Sequence, residues 1–218
     1  GFNFCYDKKL YDRMEHNGAE EIRSHLHADM EYQDRLIRFI ENHDEPRAAN
    51  TFHPGKEKMA AVAVATLPGA KLFHEGQFEG RKARVPVFLR RRPSETANAD
   101  LLNFHHNLLA QTGANVFRNG NWQLCEVRGW PDNMSCNNII AWTWRNDSSR
   151  YLIIINFSDF TSQGLVRIPW NELSGKTIRL SDTLSGAIYE RSGNEMADNG
   201  LCVVLNPWNC HFFKMQMS

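Results

Sequence analysis

Residues 36–73 form the stretch that most narrows what this chain can fold into, because they read as strand, polar loop, helix and strand in unbroken succession. Leu36-Ile37-Arg38-Phe39-Ile40 is an apolar run of strand length. Lys56 to Leu67 places Met59, Val62, Ala63 and Thr66 on one helical face, and Pro68-Gly69 ends the helix ahead of a second short strand, Ala70-Lys71-Leu72-Phe73. Two strands joined through a helix run parallel in one sheet, so this unit predicts parallel α/β architecture. The first strand also ends abruptly in polarity: Glu41, Asn42, His43, Asp44, Glu45 and Arg47 follow its last apolar residue. A core strand has no use for such a segment. At the C-terminal tip of a parallel strand it marks the place where active sites of (β/α) barrels are built.

The rest of the chain divides in two. Before it changes character, three more helices are expected: Tyr6 to Asn17, Ala19 to about Met30, and Ala97 to Gln111 with Leu101, Phe104, Leu108 and Leu109 in register. After about Ala114 the helical spacing gives way to short β-type runs. Ile140, Trp142 and Trp144 alternate, Asn146-Asp147-Ser148-Ser149 turns the chain, and Tyr151 to Phe157 returns as an apolar strand, which predicts a hairpin. Further strands at Leu165–Ile168, Thr177–Leu180, Ala187–Glu190, Leu201–Leu205 and His211–Met215 suit an antiparallel β-sandwich. The expected domains are therefore residues 1–113, α/β, and residues 114–218, all-β. The tryptophans Trp130, Trp142, Trp144, Trp170 and Trp208 are read as sandwich core ahead of sugar-stacking platforms.

Charge and cysteine usage bound the partners. Lysine plus arginine and aspartate plus glutamate both number 25, so no global field draws the chain to nucleic acid or an anionic membrane, and the ligand is expected to be neutral. Arg81-Lys82-Ala83-Arg84 and Arg90-Arg91-Arg92 are read as a solvated or ion-paired surface in preference to a phosphate site. The five cysteines, Cys5, Cys125, Cys136, Cys202 and Cys210, include no CxxC pair, which speaks against a disulfide framework or structural zinc and points to reduced, mostly buried thiols and a cytoplasmic setting. His43, Asp44, His53 and His74 lack the tight spacing of a metal site. No apolar stretch is long enough to span a bilayer, residues 1–5 do not read as an export signal, and the start at Gly1 in strand-like sequence suggests that upstream residues have been removed.

Phe39-Ile40-Glu41-Asn42-His43-Asp44 resembles the seventh-strand motif of the alpha-amylase superfamily, glycoside hydrolase family thirteen, and Leu67-Pro68-Gly69-Ala70-Lys71-Leu72-Phe73-His74-Glu75-Gly76-Gln77 is similar to its helix-seven to strand-eight segment. The resemblance implies the C-terminal portion of a (β/α)8 TIM barrel, strands six to eight with their helices, followed by an antiparallel β-sandwich. It implies a retaining glycosidase of α-glucosidic bonds, with Asp44 as the transition-state-stabilising aspartate and His43 as its substrate-binding neighbour. Asn42, Glu41, Arg47 and Gln77 are the further candidate substrate-binding residues, Gln77 standing where the family often has Gly-Gln-Glu and this chain has Phe78. The family's nucleophile and general acid lie at strands four and five, so the chain is expected to be a fragment, inactive as isolated. Its partners would be an α-glucan or other α-glucoside, the missing N-terminal part, and a second copy through the open barrel face. The chemistry implies no cofactor, and the calcium site of many members belongs to a domain inserted earlier in the barrel. An α-glucan transglycosylase and a non-catalytic carbohydrate-binding or interaction module are the alternatives.

Overall fold

The computed structural model describes residues 2–86, 88 and 91–218, which group into two compact units: residues 1–16 with 29–112, and residues 17–28 with 113–218. The first unit is built on β1 (Cys5–Tyr6), β2 (Leu36–Arg38) and β3 (Ala70–Lys71), a parallel sheet with β2 in the middle and Cys5 opposite Leu36 and Ile37 opposite Ala70. Among the described residues these strands form an open sheet and no closed barrel. Around them lie α1 (Lys8–His16), α3 (Met30–Asp34), α4 (Ala48–Thr51), α5 (Pro54–Thr66) and α6 (Ala99–Thr112). Phe39 and Ile40 continue the apolar run as buried residues, but their ladder has ended because both neighbouring strands are two residues long.

Arg38 departs from its surroundings in the sequence. It is completely buried, paired with Asp7 and bonded to the Gln33 side chain, and its Nε donates to the Pro68 carbonyl at 3.3 Å. A charge in a sheet interior is tolerable only with such a full set of partners. It ties the loop after β1 and the turn before β3 to the central strand. That turn depends on Gly69, whose φ of +89° suits glycine, and a Cβ there would stand 2.4 Å from the Leu36 carbonyl. The helix ahead of it, α5, is buried all round from Met59 to Thr66, not on a single face as its sequence suggests. Its alanines leave no bulk to hold neighbouring elements away.

The second unit has two antiparallel sheets. One takes β4 (Asn121–Leu124), β6 (Ile139–Arg145), β7 (Arg150–Asn156), β9 (Thr177–Asp182), β10 (Ile188–Ser192) and β12 (Cys210–Met217), in the order β10-β9-β12-β7-β6-β4; the other takes β5 (Glu126–Arg128), β8 (Ser162–Arg167) and β11 (Leu201–Leu205), in the order β11-β8-β5. Ile139, Ile154 and Phe213 of the first sheet share one buried cluster with Val166, Leu201 and Val203 of the second. The expected hairpin is β6–β7, with Trp142 opposite Ile153. Trp142, Trp144 and Trp170 are buried in this unit, whereas Trp130 and Trp208 are half-buried. The short helices α7 (Val116–Asn119) and α8 (Gly193–Asp198) complete the unit together with α2 (Ala19–Leu26).

The position of α2 differs from a division at residue 113. Residues 17–28 group with the β-rich unit, and Arg23 donates to the carbonyls of Asn137 and Ile139 at 3.0 and 2.6 Å. No periodicity within α2 announces a bond to residues more than a hundred positions away. All five cysteines are free; Cys125 and Cys136 are buried, whereas Cys5 and Cys202 are exposed, contrary to the expectation that most lie inside. Among the described residues no helix is long and apolar enough to cross a membrane.

Candidate functional site

The loop after β2 is shaped by one buried amide. Asn42 is 3% exposed, and its Oδ1 accepts from the backbone N–H groups of Asp44 at 2.8 Å and Glu45 at 2.9 Å. This Asx turn reverses the chain just past the strand and lifts the next two side chains outward. His43 Nε2 lies 3.3 Å from Asp44 Oδ2, and the two side chains are 56% and 70% exposed. A carboxylate and an imidazole are thus presented to solvent at the C-terminal end of the central parallel strand.

Behind them sits a buried polar cluster. Glu41 accepts from the Ala48 N–H, the first residue of α4, at 2.7 Å and faces Arg47 Nη2 at 3.1 Å. Arg47 spreads its remaining donors over the Glu75 carbonyl at 2.7 Å, the Arg81 carbonyl at 3.3 Å and His74 Nδ1 at 2.9 Å. His74 Nδ1 thus stands between the Arg47 guanidinium, which can only donate, and Glu41 Oε1 at 3.3 Å. Burial first, then the Arg47 charge, lowers the His74 pKa and favours the neutral ring. Burial pushes the Glu41 carboxyl up to about 7, against the pull of the Ala48 N–H and of Arg47.

A small cavity of about 170 Å³ opens beside the turn, with Asn42, His43, Arg47 and His74 in its wall. Of the candidate residues, Asn42, His43 and Arg47 therefore meet there. Glu41 and Gln77 are 1% exposed and stand outside the lining; Gln77 Oε1 accepts from the His74 N–H at 3.2 Å, so both support residues of the wall. Asp44 is exposed next to His43 but is likewise outside the lining.

His74 is the residue that reading the sequence for substrate contacts passes over, because its importance comes from Arg47 and Gln77 closing around it. Arg81 and Arg84 also belong to the wall, although their sequence reads as solvated surface, and Arg84 Nη2 donates to the His43 carbonyl at 3.3 Å. Arg90 lies outside the described residues. No group of three or more His, Cys, Asp or Glu among the described residues is placed to hold a metal ion, and His53 instead caps α5 through Nδ1, which accepts from the Gly55 N–H.

No family model and no curated relative matches the chain. Solved structures do match. A maltogenic alpha-amylase from Thermotoga neapolitana is similar at a TM-score of 0.78 and 20% identity, over 98% of this chain and 50% of that one. An alpha-amylase from Geobacillus thermoleovorans, complexed with acarbose, is similar at 0.74 and 16%, over 99% and 48%. An isomaltulose synthase mutant from Erwinia rhapontici, in complex with sucrose, is similar at 0.64 and 15%, over 99% and 51%. The chain spans about half the length of the structures it matches. Over nearly its whole length, this chain has the fold found in about half of an enzyme of the alpha-amylase family.

Proposed function

We propose that the chain is the C-terminal part of an alpha-amylase-type glycosidase, residues 1–113 contributing the end of a (β/α)8 barrel and residues 114–218 a β-sandwich. The observation that carries this reading is the exposed His43–Asp44 pair, held by the Asn42 turn at the C-terminal end of β2. In a retaining glycosidase an acid and a nucleophile act on the two sides of the scissile bond while positive charge develops on the sugar ring. Asp44 accepts hydrogen bonds from adjacent ring hydroxyls and stabilises that charge, and His43 donates to a neighbouring sugar oxygen. The nucleophile and the general acid come from the remainder of the barrel.

Transfer to a sugar hydroxyl in place of water is a second reading, favoured by the likeness to the Erwinia synthase. Product analysis with an added acceptor sugar separates the two. The sugar-binding part of the proposal is tested by titrating maltotriose into the protein and following the imidazole resonances. The signals of His43 and His74 are expected to shift, and His43→Ala to weaken binding at least tenfold. Maltotriose that shifts neither imidazole would contradict the assignment of this site.

A further inference from the structure

The arginine-rich stretch that reads as solvated surface folds back onto the cavity, and its charge there is not fully matched. Arg47, Arg81, Arg84 and Arg92 line the wall against two lining carboxylates, Glu75 and Glu95. Glu75 is paired with Arg92, and Arg47 is paired with the buried Glu41. Glu95 is engaged by the backbone N–H groups of Lys82 at 2.9 Å and Ala83 at 3.2 Å, with Arg81 and Arg47 contributing to its field. That leaves Arg81 and Arg84. Among the described residues neither has a carboxylate within ion-pair distance, and Arg84 has a single hydrogen bond, to the His43 carbonyl. Arg81 is half-buried, and its Nε is fully buried with no acceptor. Gly76 makes room for this packing, since a Cβ there would lie 2.6 Å from Arg81 Cγ and 2.7 Å from Arg47 Nη2.

Two planar guanidinium groups with donors to spare, on a cavity next to a sugar-binding histidine, match the oxygen-rich tetrahedron of a phosphoryl group. Nucleic acid is a poor fit, because the lining offers no Phe, Tyr or Trp ring for base stacking and the chain has no net positive charge. We propose that the site takes α-glucosides carrying a phosphate monoester, with the phosphoryl group held between Arg81 and Arg84. This rests on the glycosidase reading and extends its substrate class from neutral sugars to anionic ones.

Calorimetric titration of the protein with glucose 6-phosphate, glucose, inorganic phosphate and maltose tests it. Glucose 6-phosphate is expected to bind at least tenfold more tightly than glucose, and Arg84→Gln, a change at an exposed side chain, to lower the affinity ratio of ester to maltose at least tenfold. Arg81→Gln is expected to lower the same ratio, with the circular dichroism spectrum as the check on its fold. Ester and glucose binding equally, or a ratio unmoved by Arg84→Gln, overturns the inference. So does inorganic phosphate binding as tightly as the ester, which would make this a free-anion site. If maltose binds in a His43-dependent way while the ester gains nothing, only this inference falls; if neither sugar binds, the glycosidase reading falls with it.

Discussion

Asn42 is the residue on which the presentation of His43 and Asp44 depends, since one side-chain oxygen satisfies two backbone donors at the turn. Asn42→Ala leaves both N–H groups without that acceptor and is expected to cost about 1–2 kcal/mol of stability and to loosen the His43–Asp44 pair, measured by urea denaturation and by the loss of maltotriose affinity. Glu57 is the complementary case. It is 4% exposed in α5, its Oε1 has no hydrogen-bond partner, and burial, with the nearby Glu41 charge, pushes its pKa up to about 7. A carboxyl whose folded pKa exceeds its unfolded value of about 4.5 binds its proton more tightly in the native state, so stability falls as pH rises from about 4.5 through 7. Glu57→Gln removes the titrating group. The variant is expected to gain on the wild type across that window, by up to about 3 kcal/mol at pH 8, and denaturation midpoints flat in their difference from pH 4 to 8 would contradict this.

At the scale of elements, the turn between α5 and β3 shows how local chemistry sets the parallel unit. Gly69→Ala forces a Cβ against the Leu36 carbonyl in a left-handed conformation, and a loss of more than about 1 kcal/mol is expected in thermal or urea unfolding. This turn was legible beforehand because Pro68-Gly69 is a local signal, and so was the β6–β7 hairpin, whose alternation and polar turn lie within one short stretch. Arg38 was not legible. Its burial depends on Asp7, 31 positions away, and an arginine inside an apolar run carries no mark of a distant partner. β4 and β5 do not show in the sequence, because Asn121, Gln123, Glu126 and Arg128 dilute their apolar pattern. In the candidate site the triplet could be read directly, but the wall that Arg47, His74 and Arg81 make beside it exists only once the loop after β3 has folded back. The basic stretch by itself therefore reads as surface.

For the whole molecule, the two units place all the candidate site residues in the first, and the parallel sheet there has β1 and β3 as its edges. Phe2, Phe4 and Tyr6 are exposed in and beside β1 at 96%, 51% and 44%. Apolar side chains on an open strand edge invite pairing with another chain. The 218-residue chain is expected to associate with rising concentration in light scattering; a monomer at millimolar concentration would contradict this. The central claim, the proposal that Asp44 stabilises a glycosyl transition state, is tested most directly by the kinetics, on maltooligosaccharides, of the longer enzyme that the proposal implies. Asp44→Asn is expected to lower kcat by about 10²–10³-fold or more with KM little changed and the fold intact. An Asp44→Asn enzyme with wild-type kcat, or a 218-residue chain that turns over maltooligosaccharide by itself, would contradict the account.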